Sequence, residues 1–174
     1  MPLHIEDIQT ERLSLTALSF EHSKPMYQLW SHPDVCQYSG VVTDYDRIEI
    51  PMPAASPEAS DKIIDFWQRA AADGWGFRWA VLERASGTFV GHIGFNSLGP
   101  VREIAYHLHP DHWGKGFMSE AGRTAIDWAL ATHSETVLEA FIDPANTGSI
   151  ALITRLGFTA TGTFSEGAEC YRLP

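Results

Sequence analysis

The sequence predicts an α/β protein of the α+β type, in which a mixed, mostly antiparallel central sheet carries helices on both faces. Two observations lead to this fold class. Runs with strand periodicity and runs with helical periodicity follow one another in the order β-α-α-β-β-β-α-β-α-β-β. The 174 residues, 44% of them hydrophobic, are also enough to bury one good-sized core. We therefore expect a single domain over residues 1–174.

The first half of the chain predicts one strand followed by two helices. Residues 10–18 alternate apolar with polar side chains, which is typical of a half-buried strand. Apolar residues recur at helical spacing over residues 20–31, before a His-Pro-Asp sequence that ends this helix. Three prolines between residues 50 and 58 favour a loop over residues 36–57. Ser60 is placed to cap a second helix that ends near Gly74.

The second half predicts six further strands and two helices. A turn that contains Gly87 joins the first two of these strands into a hairpin. One helix follows the third strand after a glycine-containing loop, and the other begins after Asn146 and ends near Gly157. The strands are expected at residues 77–82, 89–95, 103–108, 136–142, 158–164 and 168–173.

Composition and charge argue against several classes of protein. No apolar run approaches the roughly 20 residues of a membrane span, and residues 1–7 lack the basic and then apolar form of a signal peptide. A cytoplasmic protein without a membrane partner is therefore expected. The net charge of −10 argues against nucleic acid as a partner, because that needs a basic face. Cys36 and Cys170 lie far apart and form no metal-like pair, so we expect reduced thiols.

A loop punctuated by glycines joins the strand at residues 103–108 to the next helix. Gly114 and Gly116 lack the Cβ atoms that would keep an anion from the backbone, and the first helical turn adds unpaired N–H groups and a partial positive charge. A phosphate or pyrophosphate is the ligand that such a loop is expected to bind. Two other nucleotide loops do not fit, because Ser119 replaces the last glycine of G-x-G-x-x-G and Lys115 is followed by glycine rather than Ser or Thr.

The string Trp-Gly-Lys-Gly-Phe-Met-Ser-Glu-Ala at residues 113–121 resembles the signature W-G-x-G-Y/F-x-x-E-A of the Gcn5-related N-acetyltransferases, in the branch that acetylates the N-termini of ribosomal proteins. The Thr-Glu-Arg-Leu sequence at residues 10–13 resembles the opening of the same branch. Asp111 stands where the family's loop pattern has Gln or Arg.

This resemblance implies the fold of that family and transfer of an acetyl group from acetyl-CoA to an amine in a ternary complex, without a covalent enzyme intermediate. Acetyl-CoA is then the co-substrate and the amine acceptor is the partner, and a homodimer is left open. The residues that the resemblance places at the cofactor are His107, Leu108, His109, His112, Trp113, Gly114, Lys115, Gly116, Phe117, Met118, Ser119 and Asn146.

A second motif lies at Asn146 and Ser149, which share one face of a helix near its N-terminus. Asn146 is a candidate N-cap on structural grounds alone. Together with the Leu-Gly-Phe at residues 156–158, the pair also resembles the second cofactor motif of the family, where the Asn contacts the pantetheine arm and the Ser lies near the thioester sulfur. Many relatives carry a Tyr acid where this sequence has Ile153, so Ser149 becomes the candidate acid for the leaving thiolate.

The reaction also needs a base, because an ammonium group cannot attack a thioester. Glu103 is the candidate, since a strand glutamate in an E-I-x-aromatic sequence resembles the base of histone-acetylating relatives. The alternative is a salt-bridged or solvent-facing strand residue. The backbone N–H of His107 or Leu108 is the candidate donor to the thioester carbonyl, if the strand diverges from its neighbour.

Two other classes of function stay open at this stage. His107, His109 and His112 form an H-x-H-x-x-H pattern that suits zinc, but His112 lies in the loop already assigned to phosphate, so no metal is expected. Asp111 and Ile153 both depart from the catalytic pattern, which leaves room for a sensor that binds CoA or acyl-CoA without turnover. Among acceptors, a protein N-terminal amine leads and a small-molecule amine is the alternative.

Overall fold

The computed structural model describes residues 1–174 and contains eight strands and five α-helices. The strands are β1 Ile8–Gln9, β2 Leu13–Ala17, β3 Phe77–Glu83, β4 Phe89–Phe95, β5 Val101–Leu108, β6 Val137–Ile142, β7 Thr159–Ser165 and β8 Ala168–Leu173. The helices are α1 Ser23–Trp30, α2 Pro33–Cys36, α3 Pro57–Asp73, α4 Phe117–Thr132 and α5 Thr147–Arg155.

All eight strands form one sheet in the order β1-β2-β3-β4-β5-β6-β8-β7. Only the β5–β6 pair is parallel, so the mixed and mostly antiparallel sheet predicted from the sequence is confirmed. The final hairpin folds so that β8 pairs with β6 and β7 becomes the outer edge.

Helices cover both faces of the sheet, and each face has its own apolar core. Residues of α4 and α5 share one buried cluster with inward side chains of the sheet, among them Trp79 and Ile93. Residues of α1 and α3 share the other cluster, which includes Trp30 and Ile64. The predicted loop over residues 36–57 begins at the last residue of α2 and contains one isolated bridge, between Thr43 and Glu49, and its Ile50 packs against the α1–α3 cluster.

The sheet opens between β5 and β6. Residues 101–103 pair with residues 137–139, and the pairing then stops, whereas β5 stays paired with β4 as far as Leu108. A wedge-shaped gap therefore begins just beyond Glu103. We call this gap the β5–β6 wedge.

Three local predictions were wrong or incomplete. The N-cap of α3 is Ser56, whose Oγ accepts the Ala59 N–H, while Ser60 lies inside the helix. Pro33 does not simply end α1 but starts α2, because Pro is well tolerated at the first position of a helix. The short β1 has no sequence signal of its own. None of the helices combines the length and apolar composition needed to cross a membrane.

Candidate active site

The predicted anion loop leads directly into the N-terminus of α4. Gly114 and Gly116 have φ angles of 75° and 76°, in the left-handed region that glycine adopts without strain. Gly116 is the N-cap of α4 and has no side chain to cap it, so no N–H group of residues 114–119 donates a hydrogen bond within the protein. These donors and the helix dipole together suit a pyrophosphate.

Two residues fix the start of this loop to the end of β5. The indole Nε1 of Trp113 donates to the Leu108 carbonyl at 2.8 Å, and His109 Nδ1 accepts the Asp111 N–H at 3.1 Å. The Asp111 carboxylate is 82% exposed and lines a cavity of about 470 Å³ toward α1. It accepts no hydrogen bond from the N–H groups of residues 114–119, which stay free for a ligand.

The backbone of β5 presents hydrogen-bonding groups to the wedge. The Asn96 N–H donates to the Glu103 carbonyl across the β4–β5 ladder. In an antiparallel pair, residues that hydrogen-bond to the partner strand alternate with residues whose N–H and C=O groups point to the opposite side. The N–H groups of Tyr106 and Leu108 therefore point into the wedge, whereas that of His107 points at β4. Of the two backbone donors suggested by the sequence, Leu108 is the one that a ligand in the wedge can reach.

Tyr106 and Ser149 meet beside the wedge. Their hydroxyl oxygens are 2.6 Å apart, although the residues lie on β5 and on the first turn of α5. Asn146 Oδ1 accepts the Ser149 N–H at 3.3 Å, so the N-cap role is present and the amide NH₂ stays free to donate elsewhere. Ile153 has no exposed surface and lies in the core. Burial raises the pKa of Tyr106 to about 12, although the hydrogen bond with Ser149 opposes the shift.

Glu103 is half-buried at the closed end of the wedge, and Asn96 links its carboxylate to the buried guanidinium of Arg78. Its Oε2 accepts a short hydrogen bond from Asn96 Nδ2, and Asn96 Oδ1 accepts from Arg78 Nη2 at 2.6 Å. Arg78 is 4% exposed and lies 3.6 Å from the ring centre of Trp67. Burial lowers the pKa of Arg78 to about 9 against the attraction of Glu103, so the guanidinium stays charged at neutral pH. The other carboxylate oxygen, Oε1, has no hydrogen-bond partner in the protein.

Two histidines lie on the α1 side of β4 and β5, of which His92 is fully buried and His107 is partly buried. The ring of His107 is 4.5 Å from that of Trp30 and 5.1 Å from that of His92. Burial, with Arg78, lowers the pKa of His107 to about 3, and burial, with His107 and Arg78, puts that of His92 well below its usual value. Both rings are therefore neutral near pH 7, and His107 is a weak base.

The three histidines of the H-x-H-x-x-H pattern do not converge. His107 packs under α1, His109 Nδ1 is used by the turn at Asp111, and His112 Nδ1 is buried without a partner. The structure contains no group of three His, Cys, Asp or Glu side chains placed to hold a metal ion.

We expect His92 and His107 to make the fold sensitive to acid. An unfolded histidine protonates near pH 6.5, so below that pH the unfolded chain binds more protons than the folded chain. The free energy of unfolding should fall as the pH drops from about 6.5 toward 3. Urea titrations should show a smaller fall in a His92→Gln/His107→Gln variant, whereas a variant of the exposed His133, His133→Gln, should follow the wild type. An unchanged pH dependence in the double variant would contradict this assignment.

Several of these residues were missed from the sequence. Arg78 had a signal, because a charged residue inside the apolar run Phe-Arg-Trp-Ala-Val-Leu must find a partner when the strand is buried. Tyr106 lies three residues after Glu103, on the opposite face of the strand, but its partner on α5 is 43 residues away in sequence. Asn96 follows β4 and had no distinguishing pattern.

The anion loop at the α4 N-terminus and the β5–β6 wedge together offer hydrogen-bond donors to a long anionic ligand. Residues 12–159 match the family model described as the acetyltransferase (GNAT) domain. The chain belongs to the GNAT acetyltransferases and is an acetyl-CoA-dependent N-acetyltransferase.

Individual relatives agree with this family. The uncharacterized N-acetyltransferase p20 of Bacillus licheniformis is 29% identical over 165 residues, which are 93% of this chain and 87% of that protein. Among solved structures, an acetyltransferase from Agrobacterium tumefaciens has a TM-score of 0.78 at 23% identity and covers 100% of this chain and 97% of that one. RimL, a ribosomal-protein α-N-acetyltransferase solved with coenzyme A, has a TM-score of 0.76 at 19% identity and covers 96% and 97%. The likeness to these two structures shows the fold.

Proposed function

We propose that the protein acetylates a primary amine from acetyl-CoA, with a protein N-terminal α-amine as the first acceptor to test. The observation that carries the proposal is that β5 connects three parts of one site. Its N-terminal end holds Glu103, its middle faces the wedge, and its C-terminal end leads into the anion loop.

In this proposal the pyrophosphate of acetyl-CoA binds the free N–H groups of residues 114–119, and the pantetheine arm lies in the wedge. Glycines at positions 114 and 116 leave the backbone accessible, and nothing lies within 4 Å of the place where a Gly114 Cβ would be. Leu108 N–H and the Asn146 amide are the donors that face the arm. The loop residues named from the sequence fit a pyrophosphate on these grounds.

Glu103 accepts the proton of the acceptor ammonium, directly or through one water, by its free Oε1. The amine nitrogen then attacks the thioester carbon, the C–S bond breaks, and its electron pair stays on sulfur. An α-amine has a pKa of about 7.7–8.0, against about 10.4 for lysine. A carboxylate base therefore needs less free energy to deprotonate a protein N-terminus than a lysine side chain. This difference and the likeness to RimL both favour the α-amine.

Ser149 stabilises the leaving thiolate by a hydrogen bond, and Tyr106 supports Ser149. The phenol, with a pKa of about 12, is much less acidic than a thiol of about 8.5, so full proton transfer to the thiolate is uphill. In this proposal the Tyr106 hydroxyl is the donor of its hydrogen bond with Ser149 Oγ, which leaves the Ser149 proton available to the sulfur.

Ser149→Ala should lower kcat by roughly 10- to 100-fold, the range expected for a hydrogen bond to a charged group. Tyr106→Phe should lower kcat by less, and the double variant should be no slower than Ser149→Ala alone, because both hydroxyls act as one unit. Thr147→Ala removes an exposed hydroxyl from the same turn and should leave kcat unchanged. Independent, multiplying losses in the double variant would show that Tyr106 does not act through Ser149.

A screen of acceptors tests the function itself. Purified protein would be given acetyl-CoA with a peptide that has a free N-terminus, the same peptide with a blocked N-terminus and a lysine, and a set of small amines. CoA thiol release and the mass of the peptide would be followed. We expect acetylation of the free α-amine. Turnover of small amines only would move the acceptor to the alternative class, and tight CoA binding without any turnover would favour the sensor.

A further inference from the structure

Arg12 connects the two sequence segments that carry the resemblance to the acetyltransferases. Its Nε donates to Glu120 Oε1 at 2.8 Å and its N–H donates to Glu120 Oε2 at 2.9 Å. Thr10 also donates a short hydrogen bond to Glu120. The opening of β2 is therefore bound to the first turn of α4, across 108 residues of sequence.

The same guanidinium reaches back to the anion loop. Arg12 Nη1 donates to the Lys115 carbonyl at 2.8 Å, and its Nη2 lies 3.4 Å from the place where a Gly116 Cβ would be. The guanidinium carbon also lies 4.7 Å from the ring centre of Phe117, the first residue of α4. Arg12 thus spans the first turn from Gly116 to Glu120 along its side.

The bond to Lys115 fixes the direction of one loop donor. In a trans peptide the C=O and the following N–H point in opposite directions. With the Lys115 carbonyl held by Arg12, the Gly116 N–H must point away from the guanidinium, into the open space at the α4 N-terminus. Burial alone would raise the pKa of Glu120, but hydrogen bonds from Thr10 and Arg12 outweigh it and lower that pKa, so the carboxylate stays charged as the anchor.

We propose that Arg12 is a positioning residue for acetyl-CoA: it aims the Gly116 N–H at the pyrophosphate without touching the phosphates itself. This inference rests on the proposed location of the pyrophosphate at the α4 N-terminus. It also gives a reason why the Thr-Glu-Arg-Leu segment and the Glu120 of the loop motif occur together in this chain, since each is the other's hydrogen-bonding partner.

The test is CoA binding by calorimetry, which needs no acceptor. Arg12→Gln should weaken CoA binding by roughly 10- to 100-fold, the usual range for hydrogen bonds to charged groups. Arg12→Lys should weaken CoA binding to a similar degree. A lysine ammonium lacks the planar set of donors by which the guanidinium contacts Glu120 and the Lys115 carbonyl at the same time. The charge-matched control Arg69→Gln, on the exposed side of α3, should bind CoA like the wild type.

Two further measurements distinguish a positioning role of Arg12 from an effect of its positive charge alone. The Arg12→Gln/Glu120→Gln variant keeps the net charge and leaves no unpaired carboxylate, yet it should still bind CoA weakly because the Lys115 carbonyl is released. Dephospho-CoA shares the pyrophosphate and should show the same fold loss as CoA. Wild-type affinity in the double variant or in Arg12→Lys, or an effect confined to CoA, would overturn the inference.

Circular dichroism would confirm that each variant is folded at the temperature of the titration. Gly116→Val in the same assay shows whether a negative result contradicts the location of the pyrophosphate or only the role of Arg12. If Gly116→Val binds CoA normally, the proposed location of the pyrophosphate is wrong. If Gly116→Val loses CoA and both Arg12 variants keep it, only the role of Arg12 is wrong.

Discussion

Gly116→Val should abolish CoA binding by a protein that is still folded. Gly116 has a φ of 76°, where a β-branched side chain is strongly strained. Its new Cβ would lie 3.4 Å from Arg12 Nη2, which is an ordinary contact, so the strain comes from the backbone. The peptides on both sides must rotate, so the N–H groups of residues 114–119 lose their common direction. Calorimetry with CoA measures the loss, and circular dichroism checks the fold.

Gly162→Val is a matched control for the strain itself. Gly162 has the same φ of 76° and nothing within 4 Å of its added Cβ, but it lies in β7, outside the anion loop. This variant should lose stability to a comparable extent and keep its affinity for CoA. If a folded Gly116→Val protein bound CoA with wild-type affinity, the anion loop would not be the binding site of the pyrophosphate.

The sequence was most informative where function depends on local backbone geometry. The anion loop needs glycines and a helix N-terminus within a few residues, and both are visible as a short string at residues 113–121. The same holds for Asn146 and Ser149, which one helical turn brings together. The alternation of Leu13 and Leu15 with polar residues was equally clear, because both leucines are fully buried in β2.

What the sequence could not supply was the pairing of distant segments. Ser149 was identified, but its contact with Tyr106 depends on how α5 lies over the β5–β6 wedge. The Thr-Glu-Arg-Leu segment was also identified, but its link to Glu120 requires the register of β2 beside α4. The assignment of Ser60 as the helix cap is wrong for a smaller reason, since Pro57 suits the first helical position and α3 starts about one turn earlier.

Glu103→Gln should lower the rate at saturating substrates by roughly 10²–10⁴-fold, the usual contribution of a positioned acid–base group. Glutamine has the same shape and can still accept the hydrogen bond from Asn96, so the fold should survive. The residual rate should rise with pH, because free amine must then come from deprotonation in solution. CoA affinity should hardly change, since the carboxylate lies at the closed end of the wedge, away from the anion loop.

Glu139→Gln is the matched control, because Glu139 is the register partner of Glu103 on β6 but is held by Arg172 at 2.6 Å. If proton transfer belongs to Glu103, the Glu139 variant should keep most of the wild-type rate at neutral pH. Initial rates of both variants across pH 6–9 would be compared with the acceptor found in the screen. Near-normal turnover of Glu103→Gln at neutral pH would make it a structural residue and leave solvent as the proton acceptor, because His107, with a pKa of about 3, is too weak a base.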